Sequence, residues 1–197
     1  MQYHEASLLK TAANKSQWPV SDLPEIVFAG RSNAGKSSLI NALVNRSNLA
    51  YAGKTPGKTR LLNFFLIDNS VVFCDAPGYG YAVGNTASAV PFHKLIDPYL
   101  EQRTQLAGMI IVLDSRRTPN ADDIQMAAYG RSRHLPVLGV CTKADKLSRS
   151  QLNNQMKIIA QTLDISRSSL LAVDNLKKTG MDEVWEAISR MTEQYNG

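Results

Sequence analysis

Gly30-Arg31-Ser32-Asn33-Ala34-Gly35-Lys36-Ser37 is the stretch on which the reading of this 197-residue chain turns. It fits G-x-x-x-x-G-K-[ST], follows the apolar run Glu25 to Ala29 and opens a helical pattern at Lys36. Gly30 and Gly35 let the backbone wrap, so that successive N–H groups and the helix N-terminus point at phosphate oxygens. Lys36 is expected to reach the β and γ phosphates. Ser37 offers a neutral hydroxyl to Mg²⁺, a hard ion that prefers oxygen. The bland rival is a plain Gly-rich turn, against which the strand before and the helix after both argue.

Working outward, apolar runs of strand length recur at Glu25 to Ala29, Leu61 to Ile67, Val71 to Asp75, Met109 to Asp114, Val137 to Thr142 and Ser169 to Val173. Helical patterns lie between most of them, at Lys36 to Asn45, Phe92 to Gln105, Ala121 to Arg133, Ser148 to Leu163 and Met181 to Tyr195. The alternation predicts an α/β fold with six strands. Asp68-Asn69-Ser70 is too short for a parallel crossover, so the strands it joins form a hairpin and one strand runs antiparallel. Helices then cover both faces, and ligands bind at the carboxyl ends of the parallel strands. No linker, repeat or low-complexity block divides the chain, which implies one core.

Two further motifs stand at strand ends. Val71 to Asp75 runs into Asp75-Ala76-Pro77-Gly78; an acid there can hold Mg²⁺ through water, and Gly78 can offer its N–H to a γ phosphate. Gly78-Tyr79-Gly80-Tyr81 would then move when that phosphate leaves, although two tyrosines between glycines equally suit a packed anchor. Val137 to Cys141 runs into Thr142-Lys143-Ala144-Asp145. A carboxylate only accepts hydrogen bonds, and guanine presents N1–H and N2–H side by side, so Asp145 suits guanine and mismatches adenine. Lys143 would lie along the base and brace the phosphate loop. Between the first helix and the hairpin, Lys54-Thr55-Pro56-Gly57-Lys58-Thr59-Arg60 is polar and basic. Thr59 is favoured over Thr55 as a second hydroxyl for Mg²⁺, because Pro56-Gly57 makes a turn that can carry it toward the loop.

Composition narrows the class. With 44% hydrophobic and 20% charged residues the chain is globular, and no apolar run approaches the roughly 18 residues of a membrane span. Met1 to Pro19 carries no secretory leader, so a cytoplasmic protein is expected. Cys74 and Cys141, the 2 cysteines, lie in apolar runs and read as buried thiols. Net charge is +5, and from Ile26 to Ile67 there is no acid while Arg31, Lys36, Arg46, Lys54, Lys58 and Arg60 stand there. Such a stretch attracts the phosphates of a nucleotide or a nucleic acid, or is a merely soluble basic face.

Taken in order, GRSNAGKS, TPGKTR, DAPGYGYA and TKADKL resemble the EngB/YsxC/YihA type of ribosome-biogenesis GTP-binding proteins, within the TrmE-Era-EngA-EngB-septin-like GTPases. The resemblance covers nearly the whole chain and is most specific at Gly30 to Ser38, Asp75 to Ala82, and Pro98 to Arg103 with Asp114-Ser115-Arg116. It implies a Ras-like P-loop GTPase domain over residues 23–197, preceded by an N-terminal extension over 1–22. It also implies GTP and Mg²⁺ binding, action on the large ribosomal subunit or its rRNA, and a need in cell division and septation. Carried over by position, nucleotide contacts fall on Gly30, Arg31, Ser32, Asn33, Ala34, Gly35, Lys36, Ser37 and Ser38. They continue at Gly57, Lys58, Thr59, Arg60 and Leu61, at Asp75, Ala76, Pro77 and Gly78, and at Thr142, Lys143, Ala144 and Asp145. Ser37 and Thr59 would ligate Mg²⁺, with Asp75 acting through water, and Lys36, Thr59 and Gly78 would serve the reaction.

Two departures stand out. Where the family reads F-S-S-x-K-K-x-G, this chain has Val173-Asp174-Asn175-Leu176-Lys177-Lys178-Thr179-Gly180, so N–H groups there can face guanine O6 but two hydroxyls are gone. After GYGYA the family carries bases and a Trp, and this chain has Ala89-Val90-Pro91-Phe92. The expected function is a slow GTPase switch in a monomer, slow because Tyr79 stands where Ras has the glutamine that orients water. Rival readings are a nucleotide-dependent RNA- or ribosome-binding module without useful hydrolysis and, further off, an ATPase. Some members of the wider GTPase group with Asn at the Asn33 position use K⁺ beside the phosphates, so the resemblance implies K⁺ as one reading, with a purely structural Asn33 as the other.

Overall fold

The computed structural model describes residues 4–50, 61–80 and 92–196. Its strands are β1 (Ala6–Ala12), β2 (Glu25–Gly30), β3 (Leu62–Ile67), β4 (Val71–Asp75), β5 (Leu106–Asp114), β6 (Val137–Thr142) and β7 (Leu170–Ala172). Its helices are α1 (Lys36–Leu43), α2 (Phe92–Gln102), α3 (Ala121–Ser132), α4 (Arg149–Leu163) and α5 (Met181–Asn196). One sheet of seven strands runs β1-β3-β4-β2-β5-β6-β7. β3 pairs antiparallel with both β1 and β4, and the pairings from β4 through β2, β5 and β6 to β7 are all parallel. The fold is thus the expected Ras-like α/β GTPase architecture, and among the described residues β3 is the one strand that runs against the others.

The count of six strands is corrected to seven. Ala6–Ala12 buries only its two end alanines and shows no apolar alternation, so nothing local marks it as a strand. It exists because the hairpin leaves the outer edge of β3 open, and β1 satisfies those backbone groups. Part of the segment read as an extension is therefore the sheet's edge. The hairpin itself follows its turn chemistry: Asp68 and Asn69 have φ of 49° and 51°, and the Ser70 N–H closes the turn on the Ile67 carbonyl at 3.0 Å.

Alternate residues of each central strand point to opposite faces, so the β2 run Ile26-Val27-Phe28-Ala29 feeds two cores. Val27 and Ala29 pack with residues of α2, α3 and α4. Ile26 and Phe28 pack under α1 and α5. Burial on both faces explains why β2, β4 and β5 read as unbroken apolar runs. Cys74 and Cys141 are buried free thiols, and burial pushes the Cys141 thiol up to about 12. The register puts Gly30 beside Val112, Phe28 beside Asp75 and Asp114 beside Thr142, so the loops after β2, β4, β5 and β6 open at one edge of the sheet. Among the described residues, no helix is long and apolar enough to cross a membrane.

Candidate functional site

The loop from Gly30 to Ser37 joins β2 to α1 and turns through left-handed backbone at Asn33 (φ 64°) and Gly35 (φ 97°). Asn tolerates that region through its short polar side chain, and Gly35 enters it without a Cβ. The Ala34 N–H bonds the Arg31 carbonyl at 3.0 Å, and Gly35 is the N-cap of α1. Lys36 and Ser37 lie in the first turn of α1, half-buried, with Ser38 exposed behind them. The N–H groups of this turn have no intrahelical acceptors, which makes it a natural seat for an anion.

Asp75 closes β4 next to this loop, and its Oδ1 is ion-paired with the Lys36 ammonium. One serine hydroxyl and one carboxylate fit an ion such as Mg²⁺ that keeps several waters. Among the described residues no group of three or more His, Cys, Asp or Glu could hold a metal ion. Ala76 is buried and Pro77 and Gly78 half-buried. A Cβ on Gly78 would lie 3.0 Å from the Ser32 backbone N and Cα, so this residue lets the segment run tightly along the phosphate loop. The Ser32 N–H bonds the Tyr79 carbonyl at 3.0 Å, and the Tyr79 N–H bonds the Gly30 carbonyl at 3.3 Å.

Of the two readings left open for the Tyr79 ring, the packed anchor is the one observed. The side chain is 3% exposed, meets Phe92 edge-on at 5.5 Å, and donates its hydroxyl to Asp123 Oδ1 at 2.7 Å. Burial, with the Asp123 carboxylate beside it, pushes the phenol up; burial likewise raises Asp123. Asp123 also accepts from the Asn120 N–H at 2.9 Å as half of the capping box that starts α3. The phosphate loop is thereby tied through Tyr79 to the start of α3.

The β6 tetrad converges on the same loop. Thr142 Oγ1 lies 2.5 Å from the Ala34 carbonyl and 3.1 Å from that of Leu113, so its one proton serves either. Lys143, at φ 59°, donates from Nζ to the Asn33 carbonyl at 2.8 Å and to Asp114 Oδ2 at 2.9 Å. Asp145 is exposed at the loop's outer end, and the Lys146 ammonium 2.8 Å away holds its carboxyl below the usual range. Ala144 donates its N–H to the Val173 carbonyl at 3.3 Å, which brings the loop after β7 alongside. In that loop the Asp174 carboxylate accepts the N–H groups of Leu176 at 2.9 Å and Lys177 at 3.2 Å. Those two N–H groups are thus turned to Asp174. Asn175 Nδ2 donates to the Gly35 carbonyl at 3.2 Å, while its buried Oδ1 has no partner among the described residues.

Asp114 is the residue that sequence reasoning left without a role. It accepts a bidentate pair from Arg116, at 2.9 and 2.7 Å, as well as Lys143. Burial alone would raise its carboxyl, but the hydrogen bonds from Arg116 and Lys143 outweigh it and hold Asp114 well below the usual range. The available signal was an acid at the carboxyl end of β5, the position that also marks Asp75 and Thr142. Leu61 is half-buried just before β3. Thr55, Gly57, Lys58, Thr59, Arg60 and Tyr81 lie outside the described residues.

A family model described as "50S ribosome-binding GTPase" matches residues 25–143. The chain is similar to the probable GTP-binding protein EngB of Streptococcus pyogenes serotype M5 (strain Manfredo), 44% identical over 186 residues that cover 94% of each. The counterpart from serotype M18 (strain MGAS8232) is 43% identical over the same span. A solved structure of a probable GTP-binding protein engB superposes with a TM-score of 0.69 at 19% identity, covering 86% of this chain and 99% of that one. A point variant of Aquifex aeolicus Era bound to GDP.AlF4- superposes with a TM-score of 0.64 at 19% identity, covering 86% and 57%. At these identities the structures speak to the fold alone.

Proposed function

The chain belongs to the EngB family of GTP-binding proteins, and from that membership we propose that it is a slow, Mg²⁺-dependent GTPase switch acting on the large ribosomal subunit. The observation that carries this reading is the convergence of the Thr142-Lys143 pair on the carbonyls of Ala34 and Asn33. It couples a loop suited to phosphates to a loop ending in a carboxylate suited to guanine. The 50S-binding description of the matching family model supports the ribosomal partner. The same membership supports a cytoplasmic monomer needed in cell division and septation.

Asp145 accepts guanine N1–H and N2–H, and Lys143 lies along the base while bracing the phosphate loop. The polyphosphate seats on the N–H groups between Gly30 and Ser38, and Lys36 exchanges Asp75 for phosphate oxygens. Ser37 and Thr59 would hold Mg²⁺ directly, and Asp75 through water. When bound, the ion neutralises charge on the β and γ oxygens. Gly78 offers its N–H to the γ phosphate, and loss of that phosphate releases the segment after it. Because the Tyr79 ring is turned into the core, it orients no water, which supports a low intrinsic rate. For K⁺, the left-handed φ of Asn33 and the use of its carbonyl by Lys143 favour the backbone role of that residue.

Two measurements test the proposal: the affinities for GTP, GDP and ATP, and GTP turnover with and without purified large subunits. Guanine preference and turnover stimulated by subunits are expected. Equal affinity for ATP removes the switch reading, and guanine binding with no turnover under either condition leaves the binding module.

A further inference from the structure

Beside the phosphate loop, on the side of β5, lies a cleft of about 230 Å³. That is below the roughly 300 Å³ at which small-molecule sites begin, so it suits a fragment of a larger ligand better than a whole cofactor. Its walls are polar and basic: Arg31 and Ser32 from the phosphate loop, Arg116, Arg117 and Thr118 from the loop before α3, and Lys143. The acids that border it are already engaged. Asp114 is held by Arg116 and Lys143. Asp123 is held by the Tyr79 hydroxyl and the Asn120 N–H. Among the described residues neither Arg31 nor Arg117 forms a salt bridge, although Arg31 stands close enough to the Asp123 carboxylate to favour its charged form. The exposed Arg117 guanidinium, with the half-buried Arg31 deeper in, therefore faces a small polar space whose acids already have partners.

We propose that this cleft is a phosphodiester-binding site for RNA of the large ribosomal subunit, gripped by Arg117 and Thr118 at its open rim and by Arg31 deeper in. The partner's identity rests on the ribosomal reading above; the cleft's chemistry does not. Guanidinium forks match phosphate oxygens bidentately, and a hydroxyl beside them completes a backbone contact that carries no sequence information. Arg116 adds a second grip if a phosphate competes with Asp114 for it. Arg31 and Ser32 belong to the nucleotide loop, so RNA occupancy and nucleotide binding are reciprocally linked.

The test uses the full chain with GTP, purified large subunits and, separately, deproteinised large-subunit RNA, over a series of KCl concentrations. Arg117→Gln should weaken binding to both probes several-fold and flatten the log K against log[salt] slope by roughly 0.7 to 0.9, the share of one neutralised phosphate. Arg117→Lys should restore most of the slope, and GTP affinity should match the parent in both variants. Parent-like affinity and slope in Arg117→Gln overturn the cleft while leaving the ribosomal function standing. Binding to RNA through Arg117 but not to subunits keeps the cleft and removes the ribosomal reading. Binding to subunits alone, weakened in Arg117→Gln, assigns the cleft to an acidic ribosomal protein and overturns the RNA partner. A parent that binds neither probe overturns both.

Discussion

The Lys143 ammonium donates to the main-chain carbonyl of Asn33 at 2.8 Å, across 110 residues of sequence. The same ammonium holds Asp114, so one side chain from the end of β6 ties the phosphate loop to the end of β5. Lys143→Met keeps the stem and removes these bonds. Since hydrogen bonds to charged groups contribute about 1.5–3 kcal/mol each, GTP and GDP affinities should both fall by roughly 10- to 100-fold. Titration calorimetry with the two nucleotides checks this.

Asp145→Asn exchanges an acceptor for a donor opposite guanine N1 and N2. GTP affinity should drop by about 100-fold or more while xanthosine triphosphate, with oxygen in place of N2, gains. Competition binding with the two triphosphates reads the switch, and unchanged GTP preference removes Asp145 from the base site.

Tyr79→Phe deletes the donor to the buried Asp123 carboxylate. An acceptor left underused there costs about 1–3 kcal/mol, or on the order of 2–12 °C in Tm for a chain of this size. Because the hydroxyl is buried and committed to Asp123, GTP turnover should stay within about twofold of the parent. A large fall in turnover without a fall in Tm would place the hydroxyl in the reaction instead.

Glu25 is fully buried, and Arg103 grips both its oxygens while Tyr99 donates to one of them at 2.9 Å. Arg103→Met leaves the carboxylate without its cation, which typically costs about 3–5 kcal/mol, so Tm should fall by on the order of 10 °C. Thermal melts of this variant beside Glu25→Gln/Arg103→Met show whether most of the loss comes from the stranded charge; the double variant should recover part of it.

Asp114 makes stability depend on pH. Burial acts to raise its folded carboxyl, yet Arg116 and Lys143 together hold it below the usual range. A depressed carboxyl stabilises the fold above its unfolded pKa of about 3.9, and that contribution is lost as pH falls from there toward the folded value. Asp114→Asn should therefore melt below the parent at pH 7, and the gap should narrow as pH drops under about 4. A gap independent of pH would contradict the pairing.

Much of this protein was decided locally, by residue chemistry that acts within a few positions. Gly30 to Ser37 must wrap and open a helix because its glycines and Lys-Ser ending permit little else, and Asp68-Asn69-Ser70 must turn back as a hairpin because three residues span no crossover. The order of the phosphate loop, Asp75 to Gly78 and Thr142 to Asp145 likewise placed three loops at one sheet edge, since parallel strands separated by helices bring their carboxyl ends together. Only the tertiary structure decided which partners these residues take. Ala6–Ala12 became a strand because β3 offered an open edge, Tyr79 turned inward because Asp123 waits there, and the Asp174 carboxylate folded onto its own loop. The bond from Lys143 to Asp114 and the Glu25 pair with Arg103 join elements far apart in the chain. Ion pairs and buried hydrogen bonds have no period and no fixed spacing along a sequence. They are set by which side chains the packed sheet brings within about 3 Å of one another, and that is a property of the assembled core.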